Sequence, residues 1–103
     1  MSLKSINPAT EVLIQEYQAH SDDQIETILN RAMQCFMDRK SRPAPDEAVL
    51  QSIQKAADIL EKNAEIYGQL ITAEMGKPIS QAVAEVNKGA GLCRYYAENA
   101  ATF

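Results

Sequence analysis

Cys35 and Cys93 are the two thiols of this 103-residue sequence, and neither stands in a pattern that would activate it. A reactive cysteine needs a neighbouring base, cation or helix N-terminus, together with access to solvent. Cys35 sits beside Phe36 in an apolar-rich stretch with no base placed to deprotonate it, so a structural bystander is expected. Cys93 adjoins Arg94, but consecutive helix residues do not face each other, and the expectation is a core position. His20 is the single histidine; without further His, Cys or paired carboxylates it is a poor metal ligand, and a surface loop is expected. Gly76-Lys77 lacks the upstream glycine and the following Ser or Thr of a phosphate loop. Tyr95 and Tyr96 are expected to pack at the edge of a helical core rather than to stack on a ligand. Asp22/Asp23 and Glu61/Glu65 read as solvated helix-end charges, not as a general acid and base. No group of residues joins a nucleophile to its base. The chain is therefore expected to hold no catalytic, cofactor-binding or metal-binding residue of its own.

Composition narrows the partners. Net charge is −4 with a pI near 4.9, which disfavours nucleic acid and anionic membrane surfaces. Arg39, Lys40 and Arg42 form a small cationic cluster, better explained as charge closing a helix than as a phosphate patch. No apolar run approaches the roughly 20 residues of a membrane span, and no signal-peptide pattern opens the chain. Two distant cysteines without a CxxC suggest neither a disulfide framework nor zinc, and a reducing cytoplasm is the expected compartment.

The elements that would position these residues are mostly helical. Residues 1–17 read as a β-arm, with Asn7-Pro8-Ala9-Thr10 turning between two short extended stretches. Residues 21–103 read as about four antiparallel helices, so the fold class is mainly α with an N-terminal arm or hairpin, in a single domain. Ser21 and Gln24 form a capping box behind which Ile25, Ile28, Leu29, Ala32, Met33, Phe36 and Met37 share one face. Pro45-Asp46-Glu47 starts a second helix with Val49, Leu50, Ile53, Ala56, Ala57 and Leu60 on its apolar side. Asn63 should close that helix and cap a third, which buries Ile66, Tyr67, Leu70, Ile71 and Met75. Gly76 suits a left-handed stop and Pro78 a fresh start. The last helix carries a narrow stripe of small residues from Ile79 to Ala100, which implies a close neighbour. Gly89 and Gly91 within it mark either close packing or a weak point. Ile28, Phe36, Ile53, Leu60, Leu70 and Val86 are expected in the core.

Glu74-Met75-Gly76-Lys77-Pro78-Ile79, Glu85-Val86 and Arg94-Tyr95-Tyr96-Ala97-Glu98 together resemble the N-terminal region of aldehyde dehydrogenases, in particular their bacterial succinate-semialdehyde dehydrogenase branch. The resemblance is also visible in Ser5–Tyr17 and Asp22–Met37 and is weak in Asp38–Ala57. Glu11 occupies a position where the family usually has glycine; if the turn needs a positive φ there, Glu11 strains it or forces another hairpin. Arg39, Lys40 and the prolines around Ala44 replace a usual tryptophan and arginine. Members of the family use a cysteine nucleophile, a glutamate base, an oxyanion-site asparagine and a parallel-sheet domain for NAD or NADP. The resemblance places all of these beyond the matched segment, so no residue here inherits a role and the chain binds no cofactor itself.

Two readings stay open. In the first, the chain is a non-catalytic N-terminal fragment of an NAD(P)+-dependent enzyme oxidising an aldehyde such as succinate semialdehyde, and it packs against the cofactor and catalytic domains. In the second it is an autonomous or engineered helical module that self-associates or binds a partner. A homo-oligomer of the isolated chain is expected, because helix faces that the resemblance implies were made for absent domains would otherwise meet water.

Overall fold

Asn7 organises the start of the chain. Its side-chain Oδ1 accepts from the backbone N–H groups of Ala9 (2.9 Å) and Thr10 (3.3 Å), and its carbonyl accepts from Glu11 N–H at 2.8 Å. This Asx-type turn joins strands β1 (Ser2–Ile6) and β2 (Leu13–Gln18) into an antiparallel hairpin with Leu3 opposite Tyr17 and Lys4 opposite Glu16. The register shifts between Ser5 and Ile6. Glu11 takes φ 60°, a left-handed value that glycine adopts at less cost, so the turn does require a positive φ at this residue. Glu11 meets that requirement without abolishing the hairpin.

The structure, a computed structural model, describes residues 1–103. Four helices follow the hairpin: α1 (Asp22–Arg39), α2 (Glu47–Lys62), α3 (Ala64–Met75) and α4 (Ile79–Asn99), with a 3₁₀ turn at Ala100–Thr102. The capping box at α1 forms as its sequence requires, with Gln24 N–H donating to Ser21 Oγ and Ser21 N–H donating to Gln24 Oε1. Asp46 caps α2 through Ala48 N–H at 3.0 Å. Asn63 ends α2 but departs from the expected double role. Its amide donates to the Ile59 carbonyl at 2.9 Å, and the N-terminus of α3 has no side-chain cap. Gly76 closes α3 at φ 78°, and Pro78 precedes α4.

Helix α4 lies against both α2 and α3, while α2 and α3 touch little beyond their shared junction. The seams are narrow. Ala57, Ala64, Gly68, Ala82, Val86, Ala90 and Ala97 are the buried residues, and no large side chain is fully covered. At Gly68 an added Cβ would lie 2.6 Å from Val83 Cγ2, so glycine is what allows α3 and α4 to meet this closely. The small-residue stripe of α4 therefore does what its composition implied. Gly89 and Gly91 do not share in it, because a Cβ at either would meet nothing within 4 Å.

The expected core is largely overturned. Of the six large side chains assigned to it, Val86 is buried and Ile53 and Leu60 are half-buried, but Ile28, Phe36 and Leu70 are exposed. The whole apolar face of α1 is open to solvent, as are Ile66, Leu70 and Met75 on α3. Periodicity identified which residues share a face, but it carries no information on whether anything covers that face. The overall dimensions agree: the radius of gyration is 18.0 Å and the extents are 50 × 39 × 19 Å. A compact globule of this length would have a radius of gyration of about 13 Å.

Candidate functional site

The residues singled out for chemistry are scattered. Cys35 is exposed on α1, and Cys93 is half-buried on α4 rather than enclosed in a core. His20 is exposed just ahead of α1. No group of three or more His, Cys, Asp or Glu side chains is arranged to hold a metal ion. Tyr95 and Tyr96 are half-exposed near the end of α4. They stand edge-on to each other at 5.3 Å between ring centroids, and Phe103 closes on both at 6.2 Å.

The most developed polar arrangement joins α4 to α2. Arg94 Nη2 lies 2.6 Å from Glu61 Oε2 and 2.9 Å from Asp58 Oδ1, Nε donates to Glu61 Oε1 at 3.2 Å, and Nη1 donates to Gln54 Oε1 at 3.2 Å. The bonds to Glu61 and Asp58 hold the guanidinium well above its ordinary range. The same bond from Arg94 depresses the Glu61 carboxyl, against the opposing effects of desolvation and, less, of nearby Asp58. Glu61 is thus part of an interhelix network, not the free helix-end charge expected. Its signal was present in the sequence: Gln54, Asp58 and Glu61, spaced four and three apart, lie on one face of α2.

Two smaller contacts orient the hairpin and the α4 entrance. Ser5 Oγ donates to Glu74 Oε1 at 2.6 Å, which ties β1 to the end of α3. Lys77 pairs with Glu85, so the cation of the Gly76-Lys77 pair is already engaged within the chain. Arg39 and Arg42 both approach Asp46, at 3.9 and 3.4 Å, linking the end of α1 to the start of α2. Some desolvation raises the Asp46 carboxyl, but the Ala48 N–H and Arg42 together outweigh it and leave the group below its ordinary value.

A dinucleotide does not fit these residues. Such a site needs a helix N-terminus reached through a glycine-rich turn at the end of a parallel strand. Here Gly89 and Gly91 lie inside α4, the starts of α1 and α2 carry Asp22, Asp23, Asp46 and Glu47, and the sheet is an antiparallel hairpin. A shallow groove of about 840 Å³ runs along α4 past Lys88, Gly89, Leu92 and Tyr95, with the paired Lys77 and Glu85 at its wall. What the molecule does present is apolar helix surface. Leu29, Met33 and Phe36 of α1 are 56%, 59% and 61% exposed. No helix is long and apolar enough to cross a membrane.

Comparison with known proteins gives a consistent picture. A profile of the aldehyde dehydrogenase family matches residues 1–103. A probable succinate-semialdehyde dehydrogenase (NADP(+)) from Synechocystis is 42% identical over 100 residues, which is 97% of this chain and 22% of that protein. A succinate-semialdehyde dehydrogenase (NADP(+)) from Mycobacterium bovis is 36% identical over 97% of this chain and 21% of its own length. Among solved structures, the NADP-dependent glyceraldehyde-3-phosphate dehydrogenase of Bacillus halodurans superimposes with a TM-score of 0.83 at 28% identity, over 96% of this chain and 20% of that one. The chain spans about a fifth of the length of the curated relatives it matches.

Proposed function

The chain belongs to the aldehyde dehydrogenase family, and from that premise we propose that it serves as a non-catalytic N-terminal scaffold segment of an NADP-dependent aldehyde dehydrogenase. The single observation that carries the reading is the exposed apolar face of α1, from Ile25 to Met37, in a segment matched from end to end by proteins about five times its length. A soluble chain seldom leaves so continuous an apolar face in water, and the remaining domains of a longer enzyme would cover it. The parent's substrate would be an aldehyde, with succinate semialdehyde favoured by the names of the Synechocystis and Mycobacterium relatives. Cofactor and catalytic residues would then lie in those other domains, and the compartment would be the cytoplasm.

A second reading rests on the same surface. An autonomous module of this sequence would cover α1 by pairing with another copy or a partner protein. Intact mass of the native gene product separates the two. A mass about five times the 11.4 kDa of this chain supports the scaffold reading. A native product near 11.4 kDa overturns it in favour of the module.

A further inference from the structure

Helix α1 stands clear of the rest of the chain. Every one of its residues is exposed, and it forms no seam with α2, α3 or α4. Ile25, Ile28, Leu29, Met33, Phe36 and Met37, its large apolar side chains, are between 44% and 61% exposed. Two such faces laid together would bury on the order of 1,000 Å² in total, the lower end of a specific protein interface. A lipid surface is a poorer match. Helices that lie on anionic lipid carry mainly lysine and arginine on the polar side, whereas α1 sets Asp22, Asp23, Glu26 and Asp38 against Arg31 and Arg39.

The charges at the ends of α1 select the occupant. Asp22, in the first turn, and Lys40, the C-cap, are about five turns apart, which sets them on the same edge of the apolar face. Neither makes an ion pair within the chain. We propose that two copies of the chain pair through α1, antiparallel, about a two-fold axis level with Arg31. Asp22 of each copy then lies beside Lys40 of the other, so one complementary contact is made twice. Ile25 comes level with Met37 of the second copy, and Leu29 with Met33 of the second copy. Ala32, the small residue of the face, sits next to the axis, where the two backbones come closest. The helix dipoles agree, since the negative C-terminal end of each α1 lies beside the positive N-terminal end of the other. A parallel pair would instead set Asp22 against Asp22 and Lys40 against Lys40, like charge on like. The pairing rests on the docking role proposed for α1 and applies to the chain without further domains.

Sedimentation equilibrium on the full 103-residue chain across the micromolar range tests the pairing, with Phe36→Asp, Ile66→Asp, Asp22→Lys and Lys40→Glu run beside the unaltered chain. The expected species has twice the 11.4 kDa mass of the monomer. Phe36→Asp should weaken it by about a hundredfold or more, because two carboxylates would enter the seam. Ile66→Asp, on the open side of α3, should leave it unchanged. In low salt each charge variant should weaken the dimer by about three- to tenfold, and high salt should erase the difference. An equimolar mixture of Asp22→Lys and Lys40→Glu should recover the affinity of the unaltered chain, since each then meets its opposite charge. A dimer that survives Phe36→Asp, or one that Asp22→Lys leaves unchanged in low salt, would overturn the antiparallel pairing. A monomer at every concentration would overturn it too, while leaving the scaffold proposal to its own test by intact mass.

Discussion

Replacing Gly68 with alanine should destabilise the chain even though alanine is the better helix former. In an exposed helix interior the exchange favours folding by about 1 kcal/mol. At position 68 the new methyl would meet Val83 Cγ2 at 2.6 Å, Val83 N at 3.1 Å and Val83 Cα at 3.3 Å. The Cγ2 methyl has little room to rotate, because β-branched side chains in helices hold one rotamer strongly. The backbone atoms cannot retreat unless α3 and α4 separate, which would open the seam at Ala82 and Val86. Overpacking of this kind costs about 1–3 kcal/mol. Subtracting the gain in propensity leaves a net loss of up to about 2 kcal/mol. Urea unfolding followed by circular dichroism would measure it, and a double-mutant cycle with Val83→Ala would locate it. The pair should show favourable coupling, since removing Cγ2 relieves the shortest contact. A Gly68→Ala variant that is more stable by about 1 kcal/mol would mean that the helices are not seated at this distance.

Three further outcomes follow from the geometry. Phe36→Ala should cost under about 1 kcal/mol of monomer stability, not the roughly 3–5 kcal/mol of a buried phenylalanine, in unfolding measured at several protein concentrations. A large, concentration-independent loss would show that α1 is covered within the chain. The isolated chain should self-associate at micromolar concentration through its uncovered faces, and sedimentation equilibrium giving only 11.4 kDa across that range would refute this. Acid should weaken the fold: Glu61 and Asp46 are held below their ordinary values of 4.5 and 3.8, so the unfolded chain binds more protons. Their stabilising effect is complete above those values and is lost as pH falls through the lower folded ones. Thermal melts from pH 7 to pH 3 should show the decline, with a smaller one in Glu61→Gln.

Local signals in the sequence were reliable where the chain satisfies its own backbone. Ser21 with Gln24, Asp46, Gly76 and Pro78 each act within a few residues, and the structure places helix ends at all of them. The hairpin was legible for the same reason, through Asn7 and Pro8. Burial was not, because covering Phe36 or Leu70 depends on groups remote in sequence or outside the segment. Ala57, Ala90 and Gly68 form the real seams, and small residues contribute little to a hydrophobic pattern. Arg94 was noticed as a neighbour of Cys93 and as a letter of the Arg94–Glu98 stretch, not as an interhelix contact. Its partners lie 33 to 40 residues away, and the link needed the face of α2 to be read together with that of α4.

The central claim, that this segment docks and does not catalyse, is tested most directly by following NADPH formation at 340 nm with the purified chain, NADP+ and succinate semialdehyde. The account predicts no rate above that of the buffer, because no thiol here has a base and no element cradles a dinucleotide. Steady NADPH production that disappears in Cys35→Ser or Cys93→Ser would contradict it.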